Sequence, residues 1–85
     1  MSDAVFVAAR DRFSEGLSHL QAGRAPEAEA ALRDSLALLP GRPSTLLNLA
    51  VALLRQARPA EALPLLEQVL AAVPGDADAL GHRGV

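Results

Sequence analysis

The sequence lacks cysteine, lysine, isoleucine, tryptophan and tyrosine, and it has only two phenylalanines in 85 residues. Without cysteine there is no disulfide framework and no thiolate chemistry. Strands favour β-branched and aromatic residues, so their scarcity argues against a sheet-based fold. What is abundant is alanine and leucine, which lead the helix propensity scale, within a hydrophobic fraction of 51%. The composition therefore predicts an all-α protein.

Charge of one sign is not concentrated anywhere along the chain. Eight arginines against ten acidic residues give a formal net charge of −2. The chain has no basic patch for nucleic acid, no basic amphipathic membrane helix and no apolar run long enough to span a bilayer. Its start, MSDAVFVAAR, is not a secretory signal. We expect a cytoplasmic protein with no nucleic-acid or membrane partner, and the arginine-only basic set with abundant Ala, Gly and Pro indicates a GC-rich bacterial genome.

Motifs for catalysis or metal binding are missing. No phosphate-binding glycine loop, no HExxH motif and no GxSxG elbow is present. His19 and His82 stand far apart, and neither has a second ligand at helical spacing, as a metal site requires. Asp76 and Asp78 could form a paired carboxylate, but the start of a helix is the favoured interpretation because negative charge stabilises that end. We expect no catalytic residue, no metal and no cofactor.

One stretch of the sequence occurs twice in related form. EAEAALRDSLALLPG, residues 27–41, and EALPLLEQVLAAVPG, residues 61–75, agree at seven of fifteen positions with an offset of 34 residues. The period predicts one unit over about residues 9–42, a second over about 43–76 and a partial third over 77–85. We expect a single domain over residues 1–85 that is a fragment of a longer protein.

Each unit has the spacing of two helices. In the first unit, Ser2 or Asp3 can cap the start of one helix, Gly23 suits its left-handed end, and a second helix runs from Pro26 to the Pro40–Gly41 exit. Residues three or four apart form an apolar stripe on each helix. The stripes consist of Phe6, Ala9, Phe13, Leu17 and Leu20, and of Ala28, Leu32, Leu36 and Leu39.

The second unit repeats this plan with one irregularity. Pro59 opens its second helix, and Pro64 lies inside it, so that either the helix bends there or it begins late, near Leu63. The predicted apolar stripes are Leu46, Leu49, Leu53 and Leu54, and then Ala62, Leu66, Leu70 and Val73 before Pro74–Gly75. Because one hairpin cannot bury both stripes, hairpins of this kind are expected to stack.

The pattern resembles the tetratricopeptide repeat (TPR) family, whose period is 34 residues. The chain has small residues where the family's two helices cross, a large residue next to them and a proline in phase. These are Gly16, Ala28, Leu32 and Pro40, and then Ala50, Ala62, Leu66 and Pro74. It departs from the family at Arg12 and Leu46, where Trp is preferred, at Glu15, and at Val69. The resemblance implies antiparallel helix hairpins stacked as a right-handed solenoid of about two full repeats and the first helix of a third.

The resemblance also implies a peptide-binding groove on the concave side, lined by the first helix of each hairpin. Its residues would be Arg10, Phe13, Ser14, Leu17, Gln21, Leu47, Asn48, Val51, Arg55 and His82. Among them Ser14, Asn48 and His82 repeat every 34 residues, and Asn48 resembles the asparagines that grip peptide backbone in other TPR domains. The alternative is that these three are solvated surface residues. The basic residues of the family's carboxylate clamp are absent, which argues against a peptide ending in Glu-Glu-Val-Asp.

Three functions follow as hypotheses. The first is a non-catalytic protein–protein interaction scaffold that binds a peptide or helix, with a partner the sequence does not identify. The second is the N-terminal targeting arm of a larger enzyme, such as a glycosyltransferase, methyltransferase or sulfotransferase, which rests on analogy alone. The third is self-association through the uncovered last helix, as a homodimer or a domain-exchanged assembly. The coding sequence after Val85 would separate the first two.

Overall fold

The computed structural model describes residues 3–72, and these form two antiparallel helix hairpins in sequence. The helices are α1 (Asp3–Gln21), α2 (Ala25–Leu38), α3 (Pro43–Arg55) and α4 (Pro59–Ala72). No strand occurs within residues 3–72, so the predicted all-α class is confirmed. The predicted third unit, with His82 and the Asp76–Asp78 pair, lies outside the described residues. The handedness of the solenoid stays a prediction.

The turn between α1 and α2 follows the prediction made for Gly23. This glycine has a φ of 80°, in the left-handed region that residues with a Cβ disfavour. Its N–H donates to the carbonyl of Leu20 at 3.1 Å, and the N–H of Arg24 donates to the carbonyl of His19 at 2.8 Å. These two bonds make a Schellman motif, which satisfies carbonyls that the end of α1 would otherwise leave unpaired.

The turn between α3 and α4 has the same hydrogen bonds but a different residue. Ala57 stands 34 positions after Gly23 and has a φ of 58°. Its N–H donates to Leu54, and the N–H of Arg58 donates to Leu53, both at 3.0 Å. An L-residue with a Cβ pays about 1–2 kcal/mol for this conformation. The second hairpin therefore turns in the same way as the first at a higher conformational cost.

Proline marks one boundary each of α2, α3 and α4, and a further proline lies inside α4. α3 and α4 begin at Pro43 and Pro59, and α2 ends before Pro40, as proline at those positions favours. Pro64 lies inside α4. The alternative that this helix begins near Leu63 is therefore wrong. Because proline has no N–H, the helix has one backbone hydrogen bond fewer at that turn.

The first helix is longer than its repeat unit. α1 already begins at Asp3, ahead of the unit boundary expected near Ala9, and Asp3 lies in its first turn. A carboxylate there is favourable because the helix N-terminus is electropositive. Asp3 therefore belongs to the helix rather than preceding it as a cap, and Ser2 lies outside the described residues. The extra turns add Phe6 and Val7 to the surface of the first helix.

The core forms where the two hairpins stack. It contains leucines and alanines from all four helices: Leu20, Ala28, Leu32, Leu49, Ala50, Ala52, Leu53 and Ala62. Small residues on one helix let the larger leucines of another approach its backbone. At Gly16 this approach is so close that an added Cβ would lie 2.6 Å from Cγ of Leu32. The absence of a side chain at Gly16 is thus required for the observed crossing of α1 and α2.

One buried polar contact joins α1 to the far end of α2. The hydroxyl of Ser35 donates to the backbone carbonyl of Ala9 at 2.9 Å, and both residues are buried. A buried hydroxyl without a partner would cost free energy, so the bond fixes where α2 lies along α1. Within residues 3–72 no buried side-chain polar atom lacks a partner.

A network of charged side chains joins the second helix of one hairpin to the next hairpin. Oε1 of Glu29 on α2 accepts hydrogen bonds from Nη1 of Arg58 at 2.7 Å and Nε2 of Gln56 at 3.0 Å. Its Oε2 pairs with Nε of Arg33 at 2.8 Å, and Arg58 also binds Glu61 on α4 at 2.6 Å. This polar joint holds the turn between α3 and α4 against α2.

The joint lowers the pKa values of its two carboxylates, Glu29 and Glu61. Partial burial alone would raise the pKa of Glu29, but hydrogen bonds from Gln56, Arg33 and Arg58 outweigh it and lower the pKa from 4.5 to about 2. The hydrogen bond from Arg58 likewise lowers the pKa of Glu61. Both carboxylates are therefore charged at neutral pH, and protonating Glu29 weakens the contact between the hairpins.

Candidate functional site

The first helices of the two hairpins, α1 and α3, lie against each other. Phe13 of α1 and Val51 of α3 both pack against the same core cluster. We call the surface formed by the predicted binding residues of these two helices the α1/α3 groove. It is the surface that the sequence predicts as a binding site.

The predicted groove residues divide by exposure. Arg10, Ser14, Gln21, Leu47 and Arg55 are exposed, whereas Phe13, Leu17, Asn48 and Val51 are half-buried. None of these nine residues belongs to the fully buried core. His82 lies outside the described residues. Of the three residues that repeat every 34 positions, only Ser14 and Asn48 are therefore in the described part of the chain.

An apolar stripe follows α3 along the groove. Leu47, Val51 and Leu54 are spaced by four and three residues and therefore share one face of the helix. Leu47 is 45% exposed and Leu54 is 48% exposed. The opposite face of α3 is buried through Leu46, Leu49 and Leu53. Large apolar side chains exposed in a row are what a docking surface presents, because covering them removes apolar area from water.

Two residues that the sequence predicts on the buried faces of α1 and α3 are exposed instead. Leu54 was grouped with Leu46, Leu49 and Leu53, but it lies on the exposed stripe. Phe6 was placed on the buried face of α1, but 51% of it is exposed. The signal for Leu54 was its spacing of three from Val51. For Phe6 the signal was its place ahead of the first repeat unit, where α2 has less surface to pack against it.

The polar groups of the groove have partly local partners. Nδ2 of Asn48 donates to the carbonyl of Ser44, one turn earlier in α3, at 2.8 Å. A primary amide has a second N–H and a carbonyl oxygen with two lone pairs, so Asn48 keeps a donor and an acceptor for a peptide backbone. Ser14 is exposed on α1. The two side chains supply the kind of groups the resemblance calls for.

Arg55 connects the two walls of the groove. Its Nη1 donates to the backbone carbonyl of Leu20, near the end of α1, at 2.8 Å. That carbonyl also accepts the N–H of Gly23, so Arg55 adds a second donor at the helix end. Arg55 therefore has a structural part in holding α3 to α1, in addition to lining the groove.

The residues that could bind a metal ion are not grouped in the described part of the chain. Nδ1 of His19 accepts a hydrogen bond from Nε of Arg24 at 3.0 Å, which occupies that ring nitrogen. Within residues 3–72 no three His, Cys, Asp or Glu side chains are grouped so as to hold a metal ion. No helix of the same stretch is both long and apolar enough to cross a membrane.

Comparison with known families agrees with the helix-hairpin fold. The family model described as tetratricopeptide repeat matches residues 19–82, which is most of the chain. The chain belongs to the tetratricopeptide repeat family. No curated protein and no solved structure gives a match. TPR domains are in general non-catalytic modules for protein–protein interaction.

Proposed function

We propose that this TPR chain is a non-catalytic interaction module that binds a peptide or helix of a partner protein in the α1/α3 groove, in the cytoplasm. The observation that carries the proposal is the apolar stripe of Leu47, Val51 and Leu54 on α3, in which Leu47 and Leu54 are exposed. An amphipathic helix or an extended apolar peptide would cover this stripe. The remaining donor and acceptor of Asn48 would bind its backbone or a polar side chain.

The proposal is tested with peptides selected from a random library displayed on phage against the purified protein. Leu47→Asp should lower the affinity of a selected peptide about tenfold or more, because it places a charge on the apolar stripe. Leu63→Asp is the matched control, since Leu63 is exposed on α4 and lies outside the groove. Circular dichroism checks that both variants remain folded.

Asn48→Ala gives a finer test of the same site. If Asn48 binds the peptide backbone, the substitution should lower affinity about tenfold or less, in line with the loss of one or two hydrogen bonds. Unchanged affinity would remove Asn48 from the site while leaving the apolar stripe in place. Equal affinity for Leu47→Asp and the unchanged protein would contradict the groove itself.

Self-association is a second candidate function, favoured by the surface of α4. We define the α4 face as Pro59, Leu63, Leu66 and Leu70. The corresponding face of α2 is packed against α3, and Leu32 on it is fully buried. On the α4 face, Leu63 is 58% exposed and Leu70 is 38% exposed, and nothing within residues 3–72 covers them. A second copy packed on this face would form a homodimer or a domain-exchanged assembly.

Light scattering at several protein concentrations tests this second function. A dimer that Leu63→Glu dissociates, and that Leu47→Asp leaves intact, would support association through the α4 face. A monomer at every concentration would rule it out.

A further inference from the structure

The two ends of the stack of hairpins have different surfaces. Where α3 packs against α2 and α4, three of its leucines are buried: Leu46, Leu49 and Leu53. The residues 34 positions earlier on α1 are polar, and we call the side of the helix that they occupy the α1 end face: Arg12, Glu15 and His19. The repeat therefore places leucine inside the stack and polar residues at its first helix.

The polar groups of the α1 end face have partners within the first hairpin. Arg12 and Glu15 form an ion pair of 2.6 Å, with 46% and 51% of their side chains exposed. Nδ1 of His19 accepts a hydrogen bond from a side chain of the following turn. The exposed Phe6 and Val7 lie about 110° or more around the helix from the middle of this face. An apolar partner on the α1 end face would take charges out of water without offering them a partner, which is unfavourable.

The α4 face is the opposite case. In the first hairpin the corresponding positions are covered by the second hairpin: Glu29 has only 14% of its side chain exposed, and Leu32 is fully buried. At the matching positions of α4, Leu63 is 58% exposed and Leu66 is half-buried. None of the four residues of the α4 face is charged. This end of the stack thus presents an apolar surface that a neighbour would cover favourably.

Leu63 also makes the α4 face a poor place for a further hairpin stacked in the same way. Its counterpart Glu29 is the centre of the polar joint that holds the next turn, and leucine cannot form such a joint. The sequence of the predicted third unit adds a conflict, because Arg83 stands 34 positions after the buried Leu49. Burying an unpaired charge is costly. Both differences favour a partner that is apolar over the whole face.

We propose that a second copy of the chain covers the α4 face with its own α4 face, so that two copies meet about a two-fold axis with their α1 end faces outermost. The two surfaces match in charge, since neither has any. A contact between identical surfaces is closed, so the assembly stops at two copies. This inference rests on self-association, the second proposed function, and adds which surfaces meet.

The other arrangement of two copies is head to tail. The α4 face of one copy would then pack on the α1 end face of the next, and the ion pair of Arg12 and Glu15 would be buried against leucine. Such a contact leaves a free end on each copy and continues into a filament. The polar α1 end face disfavours this arrangement.

The spacing of the leucines sets the alignment of the two copies. Leu66 lies between Leu63 and Leu70 along the α4 face. A two-fold axis that lies in the plane of contact and crosses α4 near Leu66 makes the two α4 helices antiparallel, and it brings Leu63 of each copy near Leu70 of the other. Glu67 borders the face and is exposed, so its side chain stays in solvent beside the contact.

The mass of the assembly gives the first readout. Sedimentation equilibrium should show a dimer that does not grow further as the protein concentration rises. Leu63→Glu should weaken the association at least about tenfold, because it places a charge in the middle of the contact. Assemblies that keep growing with concentration would overturn the inference.

Cross-linking gives the second readout, and the absence of cysteine from the chain makes an introduced cysteine unique. With a short bis-maleimide, Glu67→Cys should give covalent dimers, whereas Glu15→Cys should stay a single chain. The variant with both cysteines should also stop at covalent dimers. A ladder of trimers and larger products from that double variant would show head-to-tail contacts, and a dimeric protein in which Glu67→Cys does not cross-link would equally refute the pairing of α4 faces.

Opening the closed end gives the third readout. Arg12→Leu combined with Glu15→Leu gives α1 the residues that α3 has at these places, so the dimer should grow into larger assemblies as concentration rises. Glu27→Leu combined with Arg42→Leu is the matched control, since it removes one charge of each sign from exposed positions outside both faces. The same assembly size for the two double variants would show that the polar residues of the α1 end face do not limit the assembly, against the inference.

The outcomes separate this inference from self-association itself. A monomer at every concentration would refute both. If Leu63→Glu then destabilises the monomer, residues 73–85 of the same copy cover the α4 face, and if its stability is unchanged, the face is left to a different protein. A dimer that Leu47→Asp dissociates and Leu63→Glu does not would keep self-association and refute only the pairing of α4 faces.

Discussion

In the first hairpin, Gly16 lets Leu32 lie directly on the backbone of α1, whereas the second hairpin has Ala50 and Leu66 at the corresponding places. Leu32 is fully buried, and Leu66 is only half-buried. The leucine is the same at both positions, but the neighbouring helices differ. Within residues 3–72, α2 packs against both α1 and α3, whereas α4 packs mainly against α3. Burial in a repeat protein is therefore set by the position of the unit in the stack as much as by the repeated sequence.

The same comparison extends to the surfaces between units. Glu29 on α2 is the centre of the polar joint, and the residue 34 positions later is the exposed Leu63 of the α4 face. A charged residue is tolerated on α2 because Arg33, Gln56 and Arg58 surround it. The two second helices thus have different residues at corresponding positions, the polar Glu29 in the first hairpin and the apolar Leu63 in the second.

The largest expected difference concerns the two leucines. Leu32→Ala should lower the free energy of unfolding by about 2–5 kcal/mol, because it leaves a cavity in a fully buried site. Leu66→Ala should cost about 1 kcal/mol, since much of this side chain is already in water. Chemical denaturation of both variants measures the difference. Equal losses would show that α4 is as well covered as α2, and the comparison of the hairpins would fail.

A substitution at Gly16 tests the close crossing of α1 and α2, and a substitution at Ala50, the corresponding residue of the second hairpin, is the comparison. Gly16→Ala should destabilise the protein by about 1–2 kcal/mol, because the strain of the overlap with Leu32 exceeds the gain in helix propensity. Ala50→Gly should also destabilise it, by about 1 kcal/mol, through helix propensity alone. Thermal denaturation followed by circular dichroism compares the two. A stabilising Gly16→Ala would mean that Leu32 has room to move.

The polar joint makes the stability of the contact between the two hairpins depend on pH. Because the folded pKa of Glu29 is about 2 and its ordinary value is 4.5, the joint contributes fully above pH 4.5, and its contribution is lost as the pH falls towards 2. Glu29→Gln should therefore cost about 1–2 kcal/mol at neutral pH, a figure reduced for solvent screening. Between pH 4.5 and pH 2 the variant should lose less stability than the unchanged protein.

Denaturation midpoints measured across that pH range check the acid dependence. Glu67→Gln serves as control, because it removes the same charge from the exposed surface of α4, away from the joint. If Glu29→Gln and Glu67→Gln show the same pH profile, Glu29 has no special part in joining the hairpins.

The smallest expected effect concerns the two Schellman turns. Ala57→Gly should stabilise the protein by about 0.5–1 kcal/mol, because the relief of the left-handed strain exceeds the added entropy of the unfolded chain. The reverse change, Gly23→Ala, should destabilise it by about 1 kcal/mol for the same reason. An added Cβ at Gly23 meets no atom within 4 Å, so backbone strain is the only term tested there. A destabilising Ala57→Gly would contradict this account.

Local signals predicted most of the helix ends and much of the core. Gly23, Pro40 and Pro59 act through their own backbone preferences, so their effects are visible in sequence. The core residues Leu46, Leu49 and Leu53 follow from helical spacing. Pro64 is harder to interpret, since the sequence also allows a late helix start, and the structure shows that α4 runs continuously across it.

The groove was less predictable because exposure depends on neighbouring helices. Helical spacing identifies an apolar stripe, but it does not say where the buried face of the helix ends. Leu53 is buried, whereas Leu54, the next residue, is exposed. Ala57 has no local sequence signal, since alanine disfavours the conformation it adopts. Its place one period of 34 residues after Gly23 is what indicates the turn. The bond from Arg55 to Leu20 joins residues 35 positions apart and cannot be read from local pattern.

The bond between Arg55 and α1 affects which amino-acid substitutions this domain tolerates. The acceptor is a backbone carbonyl, which every residue type has, so the identity of the side chain at position 20 does not decide whether the bond forms. Substitutions at position 20 can change the packing beneath the bond and still leave α1 and α3 joined. Replacing Arg55, by contrast, removes the link in a single step, and the spacing between the walls of the groove then depends on apolar contacts alone.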